Sequence, residues 1–114
     1  MSKRGIELYL EDIKEAVEKI KAYTKGMNFT EFSRNSMAID AVVRNLSVLG
    51  EAVKNIPQEI KTTNPDVAWH EIMGMRNKVI HEYFGVDKEI LWQTIQKDLP
   101  IFEKQITSLS RKLK

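Results

Sequence analysis

Apolar residues recur along this chain at the spacing of helices. Ile6, Leu10, Ile13, Val17, Ile20 and Tyr23 follow at intervals of 4, 3, 4, 3 and 3. That spacing predicts one buried stripe on a helix from about residue 4 to about residue 25. Gly26 stands where a C-cap is expected, and the next stretch, MNFTEF, reads as a short loop or a helical turn. A second helix is predicted from about residue 34 to about residue 56. Ala38, Ala41, Val42, Asn45, Val48, Leu49, Ala52, Val53 and Ile56 make one wide face of it, and Ile39, Val43 and Leu46 a second. A helix apolar on two sides packs against more than one neighbour, so this one is expected at the centre. Pro57 ends it.

PQEIKTTNPDVAW is the longest connection and holds two prolines. Within it, Asn64-Pro65-Asp66 reads as an N-cap, a first-turn proline and a first-turn acid. The third helix then runs to about Phe84, where Gly85 breaks it. Asp87 is placed to cap a fourth helix. Along that helix Trp92, Ile95, Leu99, Phe102, Ile106, Leu109 and Leu113 repeat at 3, 4, 3, 4, 3 and 4, and Pro100 should kink it. No strand pattern, internal repeat or low-complexity stretch is visible. The expected fold is all-α, an antiparallel bundle of four to five helices. Its 114 residues suit a single domain over 1–114 with one core.

Composition removes several function classes. Hydrophobic residues make up 42% and charged residues 30%, which is globular composition. The net charge of +2 is too small to argue for nucleic acid by itself. It is unevenly spread: residues 1–75 hold 10 Lys+Arg against 11 Asp+Glu, and residues 76–114 hold 8 against 5. The second part is mildly basic, which fits a phosphate-bearing partner. Without cysteine, disulfides and thiolate metal sites are excluded. MSKRGIELYLEDIKEA lacks the apolar run of a signal peptide. No segment approaches the roughly 20 apolar residues of a membrane span. A soluble, cytoplasmic protein with no membrane partner is expected.

The candidate chemistry lies in GMRNKVIHEYFG, residues 74–85. On a helical projection Ile72, Met75 and Val79 form the core stripe, and Met73, Arg76, Ile80 and Tyr83 an adjacent one. Gly74, Asn77, Lys78 and His81 fall on the remaining side. Asn77 and His81, at i and i+4, are neighbours. Arg76 and His81 stand about 140° apart on an ideal helix, so the two can face one phosphate from two sides. These residue types suit phosphodiester cleavage without metal. Arginine offers a planar, permanently charged fork to phosphate oxygens, and histidine moves a proton near neutrality. A structural reading stands beside this one. A histidine near a helix C-terminus gains from the macrodipole, and Arg76 has Glu71 and Glu82 within reach of an ion pair.

Other motifs fail on spacing. His70-Glu71 and His81-Glu82 begin like a zinc-protease motif, but neither completes H-E-x-x-H. No Glu-x-x-His supports a di-iron bundle, and no glycine-rich loop precedes Lys-Ser/Thr. No metal and no cofactor are expected. His70 beside Trp69 reads as structural. Asp40, Arg44, Ser47, Glu51 and Asn55 make a polar stripe on the second helix. It is a solvated face with an Asp40–Arg44 pair, or one wall of the groove that holds His81. In the second case Glu51 positions Arg76, and Arg44 and Lys78 support the site or meet RNA.

RNKVIHEY matches R-x-x-x-x-H-x-Y through Arg76, His81 and Tyr83. Together with YLEDIKEAVEKIKAYTKG, LSVLGEAVKNIP, NPDVAWHEIMGMRNKVIHEYFGVD and LWQTIQKDLP, it resembles successive blocks of the HepT-like family, the HEPN-domain toxins of toxin–antitoxin pairs. The resemblance covers about residues 8–106 and departs nowhere at the motif positions. It implies a HEPN bundle acting as a metal-independent endoribonuclease. Arg76 and His81 would be the catalytic pair, with Asn77 in the same site on the third long helix, 69–84. The resemblance further implies a homodimer whose motifs face each other. Its partner would be a minimal nucleotidyltransferase antitoxin that transfers AMP to Tyr83. A non-catalytic HEPN module that binds nucleotide or RNA, or a helical adaptor, is the alternative.

Overall fold

The computed structural model describes residues 3–81 and 87–113, without the side chains of Lys3, Arg4, Ile80 and His81. All regular structure among the described residues is helical: α1 Lys3–Thr24, α2 Phe29–Ser33, α3 Ser36–Asn55, α4 Gln58–Thr63, α5 Trp69–His81, α6 Lys88–Gln93, a π-helical turn Thr94–Asp98, and α7 Leu99–Leu113. The long helices α1, α3, α5 and α7 form the bundle, and the short ones fill its links. The all-α expectation therefore holds.

The apolar stripes drive the packing. Leu10, Ile13, Val17 and Ile20 of α1 are fully buried, as are Val42, Leu46, Leu49 and Val53 of α3. The two-faced pattern of α3 makes it central: it packs on α1 and on α5, while α7 packs on α1. Phe102 of α7 is fully buried and meets Trp69 edge-on, with ring centroids 6.1 Å apart. Burying a side chain of that size contributes roughly 2–3 kcal/mol. At the end of α1 the stripe drifts. Thr24 is buried and donates its hydroxyl to the Ile20 carbonyl at 2.9 Å, while Tyr23 is 42% exposed. The helical period of 3.6 lets position 24 follow position 20 as readily as 23 does.

The links hold more helix than the apolar pattern predicts. MNFTEF forms α2, opened by a capping box in which the Asn28 side chain accepts from the Glu31 N–H and the Glu31 carboxylate accepts from the Asn28 N–H. The long connection contains α4. Asn64 does not cap the third helix: it closes α4, and α5 begins at Trp69. The Asn64 amide donates back to the Ile60 carbonyl at 2.9 Å, and its own carbonyl accepts the Trp69 indole N–H at 3.1 Å. An asparagine that bonds backward ends a helix as well as one that bonds forward starts one. Gly26 takes φ 77° after α1, as a C-cap requires. Asp87 caps α6, accepting from the Glu89 and Ile90 N–H groups.

The predicted fourth helix is α6, the π turn and α7 in sequence. The disturbance expected at Pro100 takes the form of the π turn just before it. In a regular α-helix the Pro100 ring would press on the carbonyl of residue 96. The wider π pitch, in which the Leu99 N–H reaches back to the Thr94 carbonyl, gives that ring room.

Candidate active site

The site is built where α5 crosses α3. Ile72 and Val79 bury the core face of α5, which leaves Arg76 at its margin. Opposite Arg76 on α3 is Gly50, buried in mid-helix. A Cβ placed on residue 50 would stand 2.7 Å from Cγ and Cδ of Arg76 and 2.6 Å from its Nε. The stem of the arginine therefore lies directly on the backbone of α3. Mid-helix glycine costs about 1 kcal/mol against alanine, and this close approach explains its presence.

Packing holds the guanidinium, together with a hydrogen bond to its neighbour on α5. Arg76 Nη1 donates to Asn77 Oδ1 at 2.8 Å. Arg76 Nε is buried, and no hydrogen-bond partner for it stands among the described residues. Among the described residues, Glu71 included, no carboxylate forms an ion pair with Arg76; Glu82, the other candidate, lies outside them. Outside the crossing the helix surface is open: Gly74, Asn77 and Lys78 are exposed, and a Cβ on Gly74 would meet nothing within 4 Å.

The start of α5 is anchored from two sides. Trp69 is tied to the end of α4 by its indole bond. Gln105 of α7 uses both ends of its amide: Oε1 accepts from the Ala68 N–H at 3.0 Å, and Nε2 donates to the Asp66 carbonyl at 2.8 Å.

Of the predicted site residues, Arg76 and Asn77 come together, with Lys78 on the open side. Glu51 is exposed and lines a shallow groove with Tyr9, Asp12 and Ser47, toward α1. Arg44 lines another with Asp12, Glu15 and Lys19. No ion pair joins Glu51 to Arg76 among the described residues. On α3, Arg76 lies against the glycine before Glu51. His81 closes α5, and its side chain lies outside the described residues, as does the whole of Tyr83. The predicted Asn77–His81 neighbourhood falls there too. His70 is exposed in a cleft with Gln58, Lys61 and Glu71 rather than packed in the core. Burial lowers the Lys61 ammonium below its ordinary value. Sequence reasoning missed Gly50 and Gln105. A lone glycine inside a continuous helical pattern was the available signal for the first. Gln105 gave none.

Among the described residues no three His, Asp or Glu side chains cluster as metal ligands, and no helix is long and apolar enough to cross a membrane.

Comparison with known proteins gives the chain its place. Residues 13–109 match the family described as Ribonuclease HepT-like. A protein of Caldanaerobacter subterraneus subsp. tengcongensis named "Putative RNase TTE0752" is 44% identical over 93% of this chain and 95% of its own. The "Probable ribonuclease HepT" of Thermococcus cleftensis is 41% identical over 96% of this chain and 99% of its own. "Putative RNase MJ1216" of Methanocaldococcus jannaschii is 42% identical over 96% and 90%. No solved structure gives a significant match. The match spans the helices that build the Arg76 site, and on it the chain belongs to the HepT-like ribonuclease family.

Proposed function

We propose that the protein is a metal-independent endoribonuclease, the toxin of a toxin–antitoxin pair, whose active site is completed by a second copy of the chain. The observation that carries this reading is Arg76. A permanent cation is packed onto α3, with no carboxylate paired to it among the described residues, at the edge of an open helix face. A fixed guanidinium at an open face is suited to a phosphate.

In this reading the 2′-hydroxyl of the RNA attacks the adjacent phosphorus and the bond to the 5′-oxygen breaks. The products are a 2′,3′-cyclic phosphate and a 5′-hydroxyl. One group takes the 2′-hydroxyl proton and another delivers a proton to the leaving oxygen. A single chain has one histidine in the motif, His81. Two chains on a two-fold axis supply two, with Arg76 from each steadying the charge on phosphorus. The bare surface at Gly74 favours close approach of a partner helix on that side. Transfer of AMP to Tyr83 by a nucleotidyltransferase antitoxin would set bulk and negative charge against the incoming phosphate.

RNA cleavage in the presence of a chelator tests the reading. The free protein is expected to release cyclic-phosphate ends, and Arg76→Ala and His81→Ala to do so at least about 100-fold more slowly. Equal cleavage by all three would refute it. Tight RNA binding without cleavage would favour a non-catalytic module instead.

A further inference from the structure

The crossing of α3 and α5 carries an inference about a residue that the catalytic motif does not contain. Gly50 is buried in the middle of α3, and its missing side chain leaves the space that Arg76 fills. The overlap falls on Cγ, Cδ and Nε of the arginine, not on its tip. Rotation of the terminal torsions therefore cannot relieve it. A side chain at 50 would force Arg76 to swing from its first torsions or push α5 away from α3. Either change moves the guanidinium by more than the tolerance of a reacting site, where a displacement of about 1 Å costs on the order of 100-fold.

We infer that Gly50 is the positioning residue for Arg76: its bare backbone is the seat that fixes the guanidinium where the phosphate is held. The inference rests on the proposed ribonuclease reading for its activity readout and on geometry alone for the rest. Among the described residues no carboxylate pairs with the guanidinium, and what holds it there is Asn77 Oδ1 and the close approach to α3 at Gly50. The seat also accounts for the burial of Nε. Shape, more than hydrogen bonding, determines where the cation stands.

The test is Gly50→Ala in the full chain, compared with Arg76→Ala and the Gly50→Ala/Arg76→Ala double variant. Alanine suits a helix interior better than glycine. Where Arg76 is absent, adding the methyl group should therefore raise the melting temperature. Where Arg76 is present, the gain should vanish or reverse. RNA cleavage by Gly50→Ala should fall about 100-fold. The Arg76 Nε–Hε resonance, assigned by its loss in Arg76→Ala, should shift or exchange faster. If Gly50→Ala fails to fold, the double variant decides: recovery of the fold supports the seat, and failure of both overturns it. Cleavage and an Nε resonance unchanged in Gly50→Ala, with Arg76→Ala inactive, would overturn the role of Gly50 and leave the ribonuclease reading intact. Full activity of Arg76→Ala would instead remove the ribonuclease reading, and the melting-temperature cycle would still judge the seat.

Discussion

Arg76 and Gly50 occupy one space: the arginine's Cγ and Cδ lie 2.7 Å from where a Cβ of residue 50 would be. The orientation of the cation is thus set by a helix crossing and refined by the side-chain bond to Asn77. The two contributions can be separated by experiment.

Asn77→Ala removes the acceptor of Nη1 and leaves the seat. Cleavage under single-turnover conditions is expected to fall about 10-fold, well short of the roughly 100- to 1,000-fold expected when the charge stabiliser itself is removed in Arg76→Ala. A loss in Asn77→Ala equal to that in Arg76→Ala would mean that the hydrogen bond, not the crossing, fixes the cation.

Gly74→Leu adds bulk where a Cβ meets nothing within 4 Å among the described residues. The variant should fold with stability at least equal to the parent, since leucine favours helices. It should sediment as a monomer and lose cleavage. A dimer that still cuts RNA would show that this face is not the interface.

Gln105 gives a graded series at the start of α5. Gln105→Ala loses both amide bonds and should cost roughly 1–3 kcal/mol in denaturant unfolding. Gln105→Glu keeps an acceptor for the Ala68 N–H but sets a carboxylate oxygen against the Asp66 carbonyl, where Nε2 donated at 2.8 Å, so its cost should be the larger. A smaller loss in Gln105→Glu would mean that the bond to the Asp66 carbonyl contributes little.

The pH response should pass through Glu103. Lys21 of α1 lies 2.9 Å from Glu103 of α7 and 3.5 Å from Glu18. Burial, aided by a hydrogen bond with Glu18, raises the Glu103 carboxyl above its ordinary 4.5. The folded protein then holds this proton to higher pH than the unfolded chain does. The contribution favours folding in acid and is lost as pH rises through the raised value. Glu18, lowered chiefly by its bond with Glu103, runs the other way: its contribution is present above 4.5 and lost as pH falls. Glu18 is fully exposed and screened by solvent, so Glu103 sets the sign. Gln cannot ionise, so the melting temperature of Glu103→Gln relative to the parent should improve from pH 4 to pH 7. A gap that narrows or stays constant would contradict this.

The long helices were legible because burial repeats. Leu10, Ile13, Val17 and Ile20 sit in the core as their spacing requires, and Val42, Leu46 and Leu49 show why α3 is central. The links were less legible. The helix of Gln58–Thr63 buries no side chain, so it left no apolar period to read. Asn64 misled because its short amide bonds the backbone in either direction, and here it closes a helix. Of the site, Arg76 and Asn77 were legible from residue chemistry. Gly50 and Gln105 were not, because what they do depends on which helices cross, and periodicity within one helix carries no record of its neighbour.

The π turn at Thr94–Asp98 bears on how this chain can change length over evolution. A π turn houses one residue more than an α-helix needs over the same rise, and here it stands directly ahead of a proline that a regular helix would not accept. The spare residue and Pro100 are therefore expected to be gained or lost together. Losing the residue alone would bring the proline ring against the carbonyl chain, and losing the proline alone would leave a widened helix with nothing to accommodate. Relatives without a proline at this point are expected to be one residue shorter between Asp87 and Gln105, with the clamp on α5 unmoved.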